Sequence, residues 1–512
     1  MKQNKWYVFA LAFVFAVTVV FVSCGNGDDS DAEPVNGISV NSELTANLNK
    51  EVSSYPVSFT LPFSAFDDAT KFNKTLALVS LVNSDRTISK EKITQFYQGM
   101  QFEDIDPRRT SGGDYDTKTD ADAVSYCLAH RKIGEFDVVA LAVRGIGYSA
   151  EWGNNLTIGK TGDHAGFLSM AEKVHAGLKS YIEAKCAAGY AAQKLKLWIV
   201  GYSRGGAVSN VLSYLLMTDA AKKIAVDPNK IFVYTFETPK GLTSGHAIAY
   251  GNVFNVLSQA DVVTYLAPLE YGFYRCGKDI VLFNGEESEY IKQEKFEREF
   301  EDYTRYNVSY TTIVDNYLQA FDPKISLPAF CPHSLRKYKN PPKEEEDAVN
   351  YKTEKQMVSF LFSKLMEKGA SAAGGISFQT RDLYADTVQE LITYLLALYM
   401  NNADKFPAVA AYLKDKGLEL LSWILDKNAF CAGIKTALVT AGVDIGGEAE
   451  FDGMCAKLYD TIDIKNGGCL SPLVEKLLPN LMSGNFSDFT RLISLHYLES
   501  PYVLLKHYNP AQ

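Results

Sequence analysis

The chain has 512 residues, of which 47% are hydrophobic and 22% charged, and its formal net charge is −10. This composition indicates a globular protein with a large core and excludes an intrinsically disordered chain. The acidic balance, together with the scatter of Lys and Arg along the sequence, argues against nucleic acid as a partner.

The first 23 residues are predicted to be a signal peptide. Lys2 and Lys5 precede an apolar stretch, Trp6–Val22, and the sequence turns polar directly after Cys24. The run Phe21–Cys24 resembles the lipobox of bacterial lipoproteins, which implies cleavage before Cys24 and lipidation of that cysteine. An ordinary secretory signal or a short transmembrane anchor are the alternatives.

The predicted lipid anchor implies a location for the protein. It places the chain in the bacterial cell envelope, on the outer membrane or cell surface rather than on the inner membrane. Residues 24–54, rich in Asp, Ser, Asn and Gly, are interpreted as a flexible tether. The body of the protein is then expected to be held at a membrane by its N-terminal lipid.

The region after the tether is predicted to begin with one strand and to continue with helices. The spacing of apolar residues favours a strand at Tyr55–Thr60 and helices at Thr70–Val82, Ser89–Met100 and Asp122–Lys132. Phe136–Val143 is a continuous apolar run, typical of a strand buried on both faces of a parallel sheet, and it ends at the pair Arg144-Gly145.

A second buried strand leads into the most informative stretch of the chain. The apolar run Leu197–Val200 is followed by Gly201, Ser203 and Gly205, which form the pattern G-x-S-x-G, and then by apolar residues at helical spacing. A serine on so sharp a strand-to-helix turn needs small neighbours and has an exposed hydroxyl, which predicts a nucleophile at Ser203. The alternative is a serine that only caps the helix.

A serine nucleophile needs two backbone N–H groups directed at the developing oxyanion. One comes from the residue after the serine and the other from the loop of a different strand. These positions correspond to Arg204 and to Ile146, which follows the Arg144-Gly145 turn.

Three runs of this region together resemble the class 3 lipase family in order and spacing. They are VALAVRGIGYSAEWGNN, DHAGFLSMAEKVHAGLKSYI and LWIVGYSRGGAVSN. The resemblance implies an α/β-hydrolase fold with a mostly parallel central sheet, in which His164 is a structural residue at a helix start. It implies neither a metal nor an organic cofactor.

The same resemblance indicates the acid of a catalytic triad. Two further buried strands are predicted at Lys230–Phe236 and Val253–Leu257. The family places its aspartate after the second of these strands, which implies Asp261. Glu237 is a rival because it also ends a strand.

The base is chosen among the histidines that follow the acid, because hydrolases of this fold run Ser, acid, His. His333 follows Asp261 on a proline-flanked loop. His496 lies near the end of the chain, where His496, Glu499 and Tyr502 have the spacing of a motif in the family's bacterial branch. His496 is the preferred base by this resemblance, and His333 is the runner-up.

The chain is divided accordingly. Residues 55–340 are predicted to form the hydrolase core, residues 341–490 a helical cap, and residues 491–512 a segment that returns to the core with the candidate base. The sequence thus predicts an exported, lipid-anchored serine hydrolase, a lipase or carboxylesterase acting on acyl lipids. The alternative is a surface lipoprotein of the same fold that binds a lipid or a partner without turnover.

Overall fold

The computed structural model describes the chain in several stretches. They are residues 37–46, 53–117, 123–145, 152–218, 224, 226–258, 261–265, 272–282, 381, 389–402, 404–416, 423, 426–462, 496, 498, 501, 502, 505, 506 and 508. Within them the strands are β1 Gly37–Ala46, β2 Ser53–Pro62, β3 Glu103–Arg109, β4 Ser125–Ile133, β5 Phe136–Val143, β6 Leu195–Tyr202, β7 Ile231–Phe236, β8 Leu242–Thr243, β9 Val253–Ser258, β10 Phe273–Tyr274 and β11 Lys278–Leu282.

Helices alternate with these strands in the first half of the chain and follow them in the second half. They are α1 Lys74–Arg86, α2 Lys90–Gly99, α3 Trp152–Leu156, α4 Ala165–Lys185, α5 Ala187–Ala191, α6 Arg204–Thr218, α7 Gln389–Asn401, α8 Phe406–Lys416, α9 Lys427–Thr440 and α10 Glu448–Ile462. None of the helices in the described stretches is long and apolar enough to cross a membrane.

The central sheet has seven strands in the order β11-β9-β7-β6-β5-β4-β3. The five strands from β11 to β5 are parallel, whereas β4 and β3 are antiparallel to their neighbours. This mostly parallel sheet confirms the predicted fold class. Parallel strands place their carboxyl ends at one edge, so the turns after β5, β6, β7 and β9 meet there.

The sheet is buried because helices cover both of its faces. On one face α1 contacts β6 and β7, and on the other α4 packs against α6, which lies on β6. Every residue of β6 is buried, and its alternate side chains join two different apolar clusters: Trp198 packs with α1, and Ile199 packs with α4 and α6. Continuous apolar strands are the consequence of burial on both faces.

Two predicted elements are wrong. Asp122–Lys132, predicted as a helix, is instead largely the strand β4, which pairs with β5 from Tyr126 opposite Val143 to Ile133 opposite Phe136. Tertiary pairing with the strands on both sides outweighs the helical tendency of its Ala, Leu and Lys residues.

The flexible tether predicted for residues 24–54 is wrong over Gly37–Ala46, which is the strand β1. This strand pairs with β2 in a separate two-stranded sheet. Ile38, Val40 and Leu44 are at most 2% exposed and belong to the core that contains α1. These three apolar residues stand singly among polar ones, so the sequence indicates a strand here only weakly. Because they are separated by two and four positions, they lie on the same face of the strand.

The helices α8, α9 and α10 share a third apolar cluster, which includes Phe430, Phe451 and Tyr459. The helix α7 contacts both α10 and α3 of the first half of the chain. Near α3, Arg381 donates hydrogen bonds to the carbonyl groups of Ile158 and Gly159, both at 2.6 Å. The helical composition predicted for this region is therefore observed in α7, α8, α9 and α10, whereas its extent over 341–490 and its role as a cap stay predictions.

The turn after β5 lies so close to the end of β6 that it has no room for a side chain. A Cβ atom added to Gly145 would lie 1.7 Å from the carbonyl oxygen of Tyr202, whereas one added to Gly245 would meet nothing within 4 Å. We expect Gly145→Ala to lower the melting temperature by roughly 3–8 °C and Gly245→Ala by no more than about 1 °C. Calorimetry of the two variants measures this, and equal melting temperatures would contradict the packing described.

Candidate active site

Ser203 occupies a tight turn between β6 and α6. Its φ angle is 55°, a left-handed conformation that costs a non-glycine residue of order 1–3 kcal/mol. The backbone hydrogen bonds of Ser203 hold this turn in place: its N–H donates to the carbonyl of Phe236 at 2.8 Å, and its carbonyl accepts from Ala207 N–H at 3.0 Å. The hydroxyl of Ser203 is thus presented at the carboxyl edge of the sheet.

The two glycines that flank Ser203 lie against backbone. A Cβ atom at Gly205 would lie 2.3 Å from the carbonyl oxygen of Val143, and one at Gly201 would lie 2.3 Å from the carbonyl oxygen of Gly205. The turn therefore requires glycine at both positions, and it brings the end of β5 against the first turn of α6.

Ser203, His496 and Asp261 lie within hydrogen-bond distance of one another. His496 Nε2 is 2.7 Å from Ser203 Oγ, and His496 Nδ1 is 2.7 Å from Asp261 Oδ2. The carboxylate selects the tautomer in which Nδ1–H donates to Asp261, so Nε2 is left to accept a hydrogen bond from the Ser203 hydroxyl. The structure thus joins three residues that are distant in the chain into one continuous hydrogen-bonded chain.

Burial shifts the pKa values of both His496 and Asp261. His496 is 7% exposed, and its burial lowers the pKa of the imidazole to about 4. The imidazole is accordingly neutral at neutral pH, as a proton acceptor must be. Asp261 is fully buried, which raises the pKa of its carboxyl group, while a hydrogen bond from Glu237, the N–H of Val263 and the charge of Arg275 oppose that rise.

The loop that carries Asp261 is fixed at several points. Val263 N–H donates to Asp261 Oδ1 at 2.9 Å, and the Thr264 hydroxyl donates to the Asp261 carbonyl at 2.8 Å. Arg275 Nη1 donates to the carbonyls of Thr238 and Thr264, at 2.9 and 2.6 Å. The guanidinium group therefore links the turn after β7 to the loop after β9.

Tyr202 is a site residue that the sequence did not predict. Its hydroxyl donates to the backbone carbonyl of His496 at 2.6 Å, and its ring stacks on the imidazole with the centroids 4.9 Å apart. The sequence contains no signal for this contact, because the two residues are 294 positions apart. Tyr202 thereby fixes both the backbone and the ring plane of His496.

The remaining predicted residues are distributed as follows. Arg204 begins α6 and directs its side chain into the core, where Nη2 donates to the carbonyl of Ala123 at 2.7 Å. Glu237 is fully buried next to Asp261. Ile146, the runner-up base His333 and the predicted lipidation site Cys24 lie outside the described residues.

His164 is buried at the start of α4. His164 caps the start of α4, where its Nδ1 accepts from Phe167 N–H, and its ring stacks on the Phe167 ring. Burial lowers the pKa of His164 to about 3. Among the residues that the structure describes, no three His, Cys, Asp or Glu side chains form a group that could hold a metal ion.

The mostly parallel sheet and the serine on its strand-to-helix turn define an α/β-hydrolase fold with a site of the serine ester hydrolase type. The model of the family Lipase (class 3) matches residues 143–271, which include Ser203 and Asp261. Residues 143–271 are thus similar to the class 3 lipase family, and this match supports a serine carboxylic ester hydrolase.

Solved structures similar to the chain include several fungal lipases. The triacylglyceride lipase of Rhizomucor miehei is 17% identical, with 40% of this chain and 78% of that chain covered and a TM-score of 0.31. The lipase of Rhizopus microsporus var. chinensis is 14% identical, with 51% of this chain and 84% of that chain covered and a TM-score of 0.30. The Lip2 lipase of Yarrowia lipolytica is 14% identical, with 40% of this chain and 77% of that chain covered and a TM-score of 0.30. A search of curated proteins found no match.

The contact between Tyr202 and His496 predicts an effect on the reactivity of Ser203. Tyr202→Phe removes one hydrogen bond but keeps the stacked ring, so the rate of fluorophosphonate labelling at Ser203 should fall roughly threefold to tenfold. Tyr202→Leu removes the ring as well and should lower the rate further. Equal labelling rates in the parent and both variants would show that Tyr202 does not position His496.

Proposed function

We propose that the protein is an exported, lipid-anchored lipase or carboxylesterase that cleaves the ester bonds of acyl lipids. The observation that carries the proposal is the pair of 2.7 Å contacts that His496 makes with Ser203 and Asp261. In this proposal Ser203 is the nucleophile, His496 the general base and Asp261 the acid that orients it.

The reaction has two halves. Ser203 Oγ attacks the ester carbonyl while His496 Nε2 takes the hydroxyl proton, and the resulting imidazolium then gives that proton to the leaving alcohol. The acyl group remains on Ser203 until His496 activates a water molecule, whose attack releases the carboxylic acid and regenerates the serine. Asp261 stabilises the imidazolium in both halves.

The oxyanion of each tetrahedral intermediate needs donors near Ser203. The backbone N–H groups of Arg204 and Ile146 are proposed for this role. Two features support the assignment: Arg204 begins the helix that follows the nucleophile, and the Arg144-Gly145 turn before Ile146 packs against the end of β6. Backbone donors fixed by packing stabilise such charge without reorganisation.

The proposed substrate class rests on the match of residues 143–271 to the class 3 lipase family. Class 3 lipases, by their name, act on lipid esters, so a carboxylic ester with an acyl chain is the proposed substrate, and neither a metal nor an organic cofactor takes part. Membrane attachment through Cys24 rests on the sequence alone and would hold the enzyme near such substrates.

The triad is tested by the hydrolysis of p-nitrophenyl butyrate and palmitate by the full chain in detergent. Because the three residues act as a unit, Ser203→Ala, His496→Ala and Asp261→Asn should each lower kcat by about 10⁴-fold. His333→Ala should retain activity, and so should His246→Ala. The second is the matched control, because His246 also contacts a carboxylate, that of Asp163, at 2.7 Å.

Two results would overturn parts of this proposal. If His333→Ala were inactive and His496→Ala active, the base would be His333. If the folded parent cleaved neither ester and a fluorophosphonate left Ser203 unlabelled, the protein would instead be a lipoprotein that binds a lipid or a partner without turnover.

The lipid anchor has a separate test in a bacterial host. A chain lipidated on Cys24 should incorporate labelled palmitate and leave the membrane fraction only with detergent, because a buried acyl chain contributes about 0.8 kcal/mol per CH₂ group. Cys24→Ser should lose the label, whereas Cys431→Ser, a change at a partly exposed cysteine, should keep it. Unchanged labelling of Cys24→Ser would contradict the prediction.

A further inference from the structure

We propose that Glu237 is a positioning residue: its protonated carboxyl group donates a hydrogen bond to the carboxylate of Asp261 and fixes Asp261 as the acid that faces His496. The inference rests on the proposed function and extends the hydrogen-bonded chain from three residues to four. It concerns a residue whose position in the sequence suggested only a rival for the role of Asp261.

The two carboxyl groups share one closed environment. Glu237 and Asp261 are each 0% exposed, and each carboxyl group lies close enough to the other to shift its pKa. Two fully buried carboxyl groups side by side cannot both be ionised, because each repels the charge of the other and burial disfavours the charged form of both. A hydrogen bond between them requires one proton, which one of the two must donate.

The neighbours decide which group holds this proton. Asp261 accepts hydrogen bonds from Val263 N–H at 2.9 Å and from His496 Nδ1–H at 2.7 Å, and the charge of Arg275, which also pairs with Asp279 at 3.0 Å, lies nearby. These donors and this positive charge favour the ionised form of Asp261. Glu237 faces the two donors of Ser258: the hydroxyl lies 2.5 Å from Oε1, and the N–H lies 3.0 Å from both Oε1 and Oε2.

The direction of the pKa shift of Glu237 agrees with placing the proton on this residue. Burial and the adjacent charge of Asp261 raise the pKa of Glu237 well above its usual value, and the hydrogen bond from Ser258 and the electrostatic effect of His496 oppose this only in part. Glu237 is therefore the member of the pair that stays neutral at neutral pH. The pair then carries a single negative charge, which is what is needed to balance one imidazolium.

The backbone also indicates that the side chain of Glu237 has a role. Its φ angle is 47°, a left-handed conformation in which glycine is favoured over any other residue. The turn is held by Glu237 N–H, which donates to the carbonyl of Val256 at 3.0 Å, and it directly follows Phe236, whose carbonyl accepts from Ser203 N–H. A strained glutamate at this place is consistent with a side chain that supports the site.

The test compares Glu237→Gln and Glu237→Leu with the parent, each as the full chain in detergent. Gln can still donate to Asp261 and accept from Ser258, whereas Leu can do neither. We expect Leu to lower kcat by about tenfold to hundredfold, the loss of one hydrogen bond to a charged group, and Gln to recover most of that loss. The acid limb of the kcat/KM profile should lie at the same pH in the parent and in the Gln variant.

An infrared difference spectrum tests the proton itself and does not depend on turnover. At pH 7 the parent should show the carbonyl band of a protonated carboxylic acid that is missing from Glu237→Gln. Glu135→Gln is the matched control, because the pKa of the exposed Glu135 is lowered by Lys194 and its carboxyl group is ionised. Its replacement should leave the band unchanged.

Several results would overturn the inference. They are the absence of the band from the parent, full activity of a folded Leu variant, or an acid limb shifted to lower pH in the Gln variant, which would mean that Glu237 carried the charge. If the Leu variant did not fold, the spectrum and the Gln profile would still decide. If the parent had no esterase activity, the proposed function would fail while the spectrum still tested the proton.

Discussion

The position of His496 between Ser203 and Asp261 is the interaction on which the account of this protein depends. The imidazole contacts both residues at 2.7 Å, although they are 293 and 235 positions away along the chain. Ser203 follows β6 and Asp261 follows β9, both at the same edge of the sheet. Tyr202, the last residue of β6, holds His496 there through its hydrogen bond to the His496 carbonyl. The reactive geometry is therefore a product of the sheet, because its parallel strands bring these turns together.

Buried charge and backbone strain occur together at this edge. Ser203 and Glu237 both have left-handed φ angles, and they lie in the turns after the adjacent strands β6 and β7. Strain of this kind persists only when the surrounding structure holds it. Here the hydrogen bond from Ser203 N–H to the Phe236 carbonyl joins the two strained turns, and Arg275 joins the turn after β7 to the loop of Asp261.

The sequence predicts best where one physical pattern dominates. The strands β5, β6, β7 and β9 are largely apolar runs because the sheet is buried on both faces. The turn at Ser203 is recognisable in the sequence because only glycine fits at the positions that flank it. The strand β4 is not recognisable in the sequence, because its pairing partners, rather than its own residues, determine its conformation. The strand β1 was missed because its three core residues are isolated among polar ones.

The side chains that hold the site residues in place could not be predicted from the sequence. The hydroxyl of Tyr202, the guanidinium of Arg275 and the carboxyl group of Glu237 act through contacts between distant segments, and no local motif records them. The choice of His496 over His333 depended on a family resemblance, since chain order admits both histidines. Only a three-dimensional arrangement can show which of them is next to Ser203.

The most direct test of the account is a crystal structure of the full chain after reaction with an alkyl fluorophosphonate. We expect a covalent bond from Ser203 Oγ to phosphorus, His496 Nε2 within hydrogen-bond distance of that oxygen, and the phosphoryl oxygen at the N–H of Arg204. An adduct on another residue, or one with His333 in the place of His496, would contradict it.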